Sequence, residues 1–599
     1  MNASIDHNFD PVALRQKYRL ERDKRLRADH NEQYQEAKGD FSHYLDDPYV
    51  APGFEREPLR DVMDVVIIGG GFGGLLAGAR LRQAGVERIR IIDKAGDFGG
   101  TWYWNRYPGA QCDVESYIYL PLLEETGFIP REKYTRAPEI LAHCRAIGEK
   151  FDLYRDACLQ TEITAITWDD ASQQWVIETQ RGDHMRARYV IMSNGPLNRP
   201  KLPGIPGIAR FRGHTFHTSR WDYGYTGGSS AGGLTGLADK RVGIIGTGAT
   251  AVQCIPYLGQ HAQQLYVFQR TPSSVDVRNN RDTDPVWAGS LPTGWQKRRM
   301  ENFNVLVEGG YQEEDLVADG WTDIIRNVML GLGEDAFAGT SQAELASAIE
   351  LADFAKMNQV RARVDSIVAD PATAQALKPW YRQFCKRPCF SDEYLPTFNR
   401  PNVRLVDTNG RGVDEITERG VIVDGEEYEV DCLIFATGFE VGTGYTRRSG
   451  FDVVGRRGTR LSGKWAEDVR TLHGVMSHDF PNCFFMGLTQ GTLTVNFPHM
   501  LDEQAQHITH IVGAAQARQA RAVEPTAASE AAWCETVRAS QSGASKFLAD
   551  CTPGYYNNEG VPEKGHGLYA NQYAAGPVAF FDVLRSWRSQ GEFAGLTFL

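Results

Sequence analysis

A chain of 599 residues exceeds the roughly 250 to 300 residues at which a single core stops growing, so two or three domains are expected. Apolar residues at 42% and charged residues at 23% are an ordinary globular balance, and a net charge of −12 argues against general attraction to nucleic acid or anionic lipid. No run approaches the ~18 consecutive apolar residues of a membrane helix, which leaves small molecules as the expected partners.

The N-terminus lacks the apolar core of a signal peptide. Its arginines are mixed with Asp6, Asp10, Glu21 and Asp23, unlike an acid-poor transit sequence, so a cytoplasmic enzyme is expected. Residues 1–60 form a charged, Tyr-rich arm, with Asp10 as N-cap, Pro11 at the first helical position and Leu14 and Tyr18 one turn apart. A helix packed on the main body is expected there. Ten cysteines are scattered without a C-x-x-C pair. Neither a disulfide scaffold nor a zinc site is indicated, no metal is expected, and most of the thiols read as small buried apolar groups.

Val65–Ile68 is a buried-strand pattern running into Gly69-Gly-Gly71-Phe-Gly-Gly74, with helical spacing from Leu75 onward. Gly69 permits the turn, Gly71 lets backbone approach a pyrophosphate, and Gly74 lets the helix pack close to the strand, while the helix N-terminus offers free N–H groups. The next strand, Arg88–Ile92, ends at Asp93, placed to accept a hydrogen bond from a ribose hydroxyl. Residues 99–113, rich in aromatics, Gly and Pro, should be a shaped loop. Its rings would wall an isoalloxazine and Asp113 would fix a negative charge at the edge. A buried aromatic turn whose aspartate caps a helix is equally open.

Tyr189–Met192 is another strand, followed by a Pro/Gly-rich crossing at 199–207. Residues Phe211 to Asp222 lie between two glycine loops and read as a hinge, and the Gly/Ser-rich stretch 227–236 as a flexible surface linker. Val242–Ile245 then feeds Gly246-Thr247-Gly248-Ala249-Thr250-Ala251, with alanine at the third glycine position. The strand Leu265–Phe268 leads to Arg270 and Thr271, where an NAD-type site would keep an acid; a guanidinium there suits a 2′-phosphate, so the second cofactor should be NADP. Residues 276–380 turn helical, with Ser341 and Glu344 spaced as a capping box. Lys386 and Arg387 precede Pro388 in a turn context, open to a solvated charge pair as well as to a site. Strands follow at Val403–Val406 and Cys432–Phe435, the latter entering Thr437 and Gly438 in a turn suited to close cofactor approach. Residues 481–504 repeat strand, glycine turn and helix. The expected fold class is α/β, with two Rossmann-like dinucleotide-binding domains, FAD and NADP, discontinuous in sequence. The FAD domain takes 61–205 and, with the C-terminal segment, 431–599; the NADP domain takes 206–275 and 381–430, and a helical insertion in it takes 276–380.

Two motifs carry a resemblance. Phe211, Gly213, His217, Trp221 and Asp222 fit F-x-G-x3-H-x3-W-P/D, and Gly99, Gly100, Trp102, Tyr107, Pro108, Gly109 and Asp113 fit A/G-G-x-W-x4-F/Y-P-G/M-x3-D. From about residue 60 to 510 the chain resembles the type I Baeyer-Villiger monooxygenases. The resemblance implies that NADPH reduces FAD, that the reduced flavin and O2 give a C4a-peroxyflavin, and that this adds to a ketone and yields an ester or lactone. It implies that Arg387 stabilises the developing oxyanion, that Asp113 holds the guanidinium, and that Lys386 and Arg270 grip the 2′-phosphate. Cofactor contacts are further expected at Phe72, Gly73, Lys94, Gly100, Thr101, Trp102 and Tyr119 for the first loop, and at Thr247, Ala249, Thr250 and Thr271 for the second. His217 and Trp221 become coupling residues, although their spacing of one helical turn equally suits a core histidine beneath a tryptophan. Tyr555-Tyr556 stands where relatives often carry Trp-Tyr against the nicotinamide. The arm and the 227–236 stretch exceed the compact members, and such an arm resembles those of members acting on larger cyclic ketones or steroids.

The implied partners are a small-molecule ketone and O2, with no nucleic acid or membrane, and the protein is expected as a monomer or small homo-oligomer. An N-hydroxylating or heteroatom-oxidising flavin monooxygenase would share both loops. A pyridine-nucleotide disulfide reductase needs a redox cysteine pair where only Cys112 stands. A non-catalytic NADPH sensor would show no ketone-dependent O2 uptake.

Overall fold

The apolar run Val65–Ile68 is buried throughout because the strand Val62–Ile68 pairs in parallel with Ile89–Ile92 on one side and His184–Met192 on the other. A parallel strand covered on both faces has no solvent side on which to place polar residues. The structure, a computed structural model, describes residues 9–332, 339–541, 544–562 and 571–599. The first sheet has seven strands; Ile163–Asp169 and Gln174–Thr179 extend it antiparallel beyond His184–Met192. The chain returns to it late. Val453–Val454 adds beside Ile163–Asp169, Cys483–Phe485 adds beside His184–Met192, and helix Phe497–Ala517 packs on helix Phe72–Gln83.

The second sheet is wholly parallel, in the order Val403–Asp407, Gln264–Gln269, Arg241–Ile245, Cys432–Phe435, His214–His217. Cys432–Phe435 thus corrects the boundary expected at 431: it is a strand of the second sheet, not of the first domain's return. A buried apolar tetrad looks the same in either sheet, and only pairing decides. Helices Trp295–Val307, Asp323–Leu332, Gln342–Ile367 and Pro371–Leu377 fill the interval between the second sheet's strands, and Ser341 and Glu344 form both halves of the capping box. Among the described residues no helix is long and apolar enough to cross a membrane.

The arm starts as read: Asp10 Oδ1 accepts from Val12 N at 2.8 Å and caps helix Pro11–Asp23. Its buried Tyr18 meets the Phe354 ring at 5.6 Å, and Arg15 pairs with Glu350 at 2.6 Å, fastening the arm to the helical region. Residues 1–8 of the arm, Asp6 among them, lie outside the described residues. Farther on, Tyr34–Glu36 pairs antiparallel with Lys201–Pro203.

Two further expectations are corrected. The stretch 227–236 is packed rather than a loose excursion: Ser229 bridges to Gly232, the Gly109 N–H donates to Ser230 O at 3.2 Å, and Leu234 is fully buried. Its glycines serve positive φ at Gly227, Gly228, Gly232 and Gly233, which composition alone reads as flexibility. Cys385 and Cys551 form a disulfide across 166 residues of sequence, a pairing that no spacing signals, while the eight other cysteines are buried and free.

Candidate active site

The first glycine loop leaves bare backbone where a side chain would collide. A Cβ on Gly74 would lie 1.9 Å from Gly69 O, and one on Gly100, at φ +53°, would lie 2.6 Å from Gly71 Cα. Helix Phe72–Gln83 starts at Gly71 with no side-chain cap, and Gly71, Phe72 and Gly73 at its start line a cleft. Lining this cleft are Gly69, Gly71, Phe72, Gly73, Asp93, Lys94, Gly100, Thr101, Trp102 and Tyr119, all expected from sequence. Gly74 packs beneath the lining instead. Trp102 Nε1 donates to Tyr119 OH at 3.2 Å, and Phe72 and Trp102 each meet the Tyr119 ring edge-on at 5.9 Å, a rigid aromatic wall. Within the expected loop, Thr101–Trp104 makes one helical turn. Asp93 accepts from Gly70 N at 2.6 Å and Ala95 N at 2.8 Å, so it first of all fixes the loop. Burial pushes its carboxyl up, and these two N–H groups partly offset that. A bare-backbone turn, an uncapped helix N-terminus, an acid at the next strand end and a flat aromatic wall fit the pyrophosphate, ribose and isoalloxazine of FAD. Sequence reasoning missed Trp104, Asn194, Met486, Phe497 and Leu501 in the same lining. The strand ends at Met192 and Phe485 were the available signal.

The second loop repeats the design from strand Arg241–Ile245 into helix Ala249–His261. Gly246, at φ +114°, could not carry a Cβ, which would meet Ala436 O at 2.4 Å, and Gly248 caps the helix without a side chain. Thr247 Oγ1 donates to Thr271 O at 2.8 Å, tying loop to strand end. Tyr107 donates to Gln253 Oε1 at 2.8 Å, and Gly109 lies so close to Tyr257 that its Cβ would sit 2.4 Å from the ring, so the aromatic loop seals against this second helix.

Arg270 projects from the end of strand Gln264–Gln269 into a cluster of charge. It donates to Gln33 Oε1 and to the Glu559 carboxylate, the latter at 3.2 Å. Lys386 Nζ lies 3.4 Å from Pro553 O, and Lys201 Nζ stands 3.7 Å over the Tyr34 ring. Burial, reinforced by the Arg270 charge, pushes the Lys386 amine down to about 8, and burial also lowers that of Lys201. Burial works against a charge on Glu559, and Arg270, Lys201 and Lys386 outweigh it, holding the carboxyl below its ordinary range. Cations at the end of the second strand, beside an uncapped helix start, fit a 2′-phosphorylated dinucleotide. Of the residues expected from sequence, Arg270 and Lys386 stand in this cluster and Thr271 is tied to Thr247 at the strand end, whereas Gln33, Tyr34, Lys201 and Glu559, from the arm, the crossing and the C-terminal segment, were not expected there.

Asp113 and Arg387 form a forked pair, Nε to Oδ2 at 2.8 Å and Nη2 to Oδ1 at 2.7 Å, 274 residues apart in sequence. The guanidinium also lies over the Trp321 ring at 5.6 Å, and Trp321 Nε1 donates to Asp113 O at 2.7 Å. Burial alone would raise the Asp113 carboxyl; the Arg387 charge and hydrogen bonds reverse this and hold it below the usual range. The same pair overcomes burial at Arg387 and keeps it firmly protonated. Neither residue lines the first cleft directly. Tyr119, which does, is close enough to feel both charges.

The hinge motif is not helical across His217 and Trp221. His214–His217 is extended because it pairs with Cys432–Phe435, and a short 3-10 turn, Thr218–Arg220, separates it from Trp221. His217 is fully buried, with Nδ1 2.8 Å from Ser219 Oγ, the Gly438 backbone close to its ring, and no hydrogen-bond partner of normal geometry on Nε2. Burial, then Arg220, pushes its imidazole down to about 3, so it stays neutral. Trp221 is also fully buried and donates to Thr226 Oγ1 at 3.1 Å, while Asp222 caps Tyr223–Thr226 and meets His214 Nε2 at 2.9 Å. Gly213 has no room for a Cβ, which would sit 2.5 Å from the Phe211 ring.

Residues 66–286 match the family model described as pyridine nucleotide-disulphide oxidoreductase. Over 591 residues the chain is 56% identical to pentalenolactone D synthase of Streptomyces arenae, covering 98% of this chain and 100% of that protein. It is 52% identical over 585 residues to a Baeyer-Villiger monooxygenase of Streptomyces coelicolor, covering 97% and 96%. Among solved structures, the polycyclic ketone monooxygenase of the thermophilic fungus Thermothelomyces thermophila superposes with a TM-score of 0.89 at 39% identity over 98% of each chain. With two Rossmann-type domains and sites fitted to FAD and NADP, the chain belongs to the Baeyer-Villiger monooxygenases, which use NADPH and O2 to convert ketones to esters or lactones.

Proposed function

We propose that Arg387 is the catalytic cation of this monooxygenase, that Asp113 positions it, and that the preferred substrates are bulky cyclic ketones. The forked Asp113–Arg387 pair carries this reading. It fixes a permanently charged guanidinium in a partly dry setting beside the wall of the FAD cleft. When bound, FAD supplies electron transfer from NADPH and activation of O2. The protein's part is to stabilise the negative charge that grows on oxygen as the carbonyl is attacked. A preorganised cation does this without reorganising at the moment of reaction. Asp113 limits the swing of the guanidinium, and Trp321 covers one face of it.

The cofactor residues take matching roles. The Gly69–Gly74 loop, Asp93, Lys94 and the Thr101, Trp102 and Tyr119 wall would hold FAD; Gly246–Thr250, Arg270, Thr271 and Lys386, with the Thr437–Gly438 turn, would hold NADP. Phe211, Gly213, His217, Trp221 and Asp222 would couple the two, since the strand ending at His217 lies in register with the one that enters Thr437. On the sheet pairings, the second domain would comprise 206–275 and 381–435 around the 276–380 insertion, and the first would comprise 61–205 and 436–599.

Support for a bulky ketone comes from two sides. The arm is built into the second cofactor site, and the similar proteins are a pentalenolactone D synthase and a polycyclic ketone monooxygenase. NADPH consumption by the yellow, FAD-loaded protein should be stimulated more by polycyclic than by small monocyclic ketones, with products one oxygen atom heavier. A rate highest on small ketones would reject the substrate class. The same reading carries a cytoplasmic location and a monomer or small homo-oligomer, which light scattering on the purified protein checks.

A further inference from the structure

At the place read above as the 2′-phosphate site Arg270 pairs with one carboxylate, Glu559, and Lys201 and Lys386 lie near enough to act on its charge. Glu559 is 3% exposed. Arg270 reaches it at 3.2 Å, and Tyr34 OH donates to its Oε1 at 3.1 Å. Its backbone is unfavourable: Asn558 and Glu559 are consecutive non-glycine residues at φ +52° and +54°. Such a conformation persists only where its surroundings hold it, and here the Arg270 pair does so together with the Glu559 N–H bond to Gly554 O at 2.9 Å and the buried Asn557 carboxamide, which accepts from Gly554 N at 3.0 Å. The segment is anchored just upstream by the Cys385–Cys551 disulfide, and Leu26 and the 3-10 turn His30–Gln33 of the arm pack against it. It also carries Tyr555 and Tyr556, whose phenols lie near enough to Arg387 to act on its charge.

We propose that Glu559 is an internal occupant of the NADP 2′-phosphate site, and that the incoming phosphate displaces it together with the segment bearing Tyr555 and Tyr556. This inference rests on the reading of Arg270 as the 2′-phosphate ligand and goes beyond it. A phosphate offers more oxygens and up to about two negative charges, against one for the carboxylate. Once the cations turn to phosphate, the Arg270 pair no longer offsets the cost of the backbone at Asn558 and Glu559, and the turn shifts about its Cys551 anchor. A nucleotide without the 2′-phosphate cannot drive this exchange. Glu559 thereby lowers affinity for every 2′-phosphorylated ligand and links its arrival to the surroundings of Arg387.

The test uses the full FAD-loaded protein and two probes that differ by one phosphate, adenosine 2′,5′-bisphosphate and adenosine 5′-monophosphate. Hydrogen exchange across residues 552–562 should rise with the bisphosphate and stay unchanged with the monophosphate. By titration calorimetry, Glu559→Gln should bind the bisphosphate about tenfold more tightly, because the competing state is lost, with monophosphate binding unaltered. Unchanged or slowed exchange with the bisphosphate overturns the proposal, as does equal or weaker bisphosphate binding by Glu559→Gln. The exchange experiment on the unaltered protein stands whether or not the variant folds. Arg270→Ala separates the two layers: loss of the preference for the bisphosphate supports the site, whereas a retained preference removes the site reading and Glu559's role with it.

Discussion

The two glycine loops share one plan and differ in what surrounds them. In the first, the helix is pressed so close to the strand that no Cβ fits at position 74; the equivalent position of the second is Ala251. The first cleft carries a wall of aromatic rings with Asp93 and Lys94 at its strand end, whereas the second ends in a cluster of buried cations and a carboxylate. The first site therefore depends on packing, and the second on charge drawn from three distant parts of the chain.

The difference can be broken from either side. Replacing Arg270 by Ala removes a guanidinium whose charge-assisted bonds are each worth about 1.5–3 kcal/mol. It should raise the NADP dissociation constant roughly 10- to 100-fold, with NAD binding and FAD content unchanged; titration against both nucleotides checks this. Gly74→Ala should instead act on the first site, costing roughly 1–3 kcal/mol of stability through overpacking, with loss of bound FAD, read by thermal unfolding and the flavin absorbance. Equal melting temperatures for Gly74→Ala and the parent would refute the packing argument.

A smaller effect is expected from pH. Lys386 is lowered to about 8, so it is a cation below that value and neutral above it. NADP affinity should accordingly fall severalfold, and by no more than tenfold per unit, as pH rises through about 8. Lys386→Met should flatten the profile. In the absence of nucleotide the sign for stability is opposite: a depressed amine makes the folded state less stable as pH falls through about 8. The smallest expected change is at the hinge. His217→Ala should raise peroxide release per NADPH while leaving FAD content intact, and unchanged coupling would remove His217 from that role.

Legibility followed the same divide. Strand, glycine turn and helix are local, so the first loop, the second loop and the late return at Phe484 to Gly487 could be read from residues in line. The Arg387–Asp113 pair became readable only through the motif resemblance, because 274 residues separate its members. Lys201, Gln33 and Glu559 left no signal, since a charge on an arm or a C-terminal turn looks solvated until the fold buries it. Cys432–Phe435 and the Cys385–Cys551 bridge failed for a related reason: pairing partners are tertiary information. The 227–236 stretch misled because glycine serves fixed positive φ as readily as flexibility.

The central claim is that Arg387, held by Asp113, serves oxygen insertion and not flavin reduction. It is tested by turning over the protein and its Arg387→Ala variant with NADPH, isotopically labelled O2 and a bulky cyclic ketone. Both should consume NADPH, but label in the lactone should fall by about 10²–10³ in the variant, the usual consequence of removing one preorganised oxyanion-stabilising group. Labelled lactone formed at the parent rate by Arg387→Ala would contradict the account.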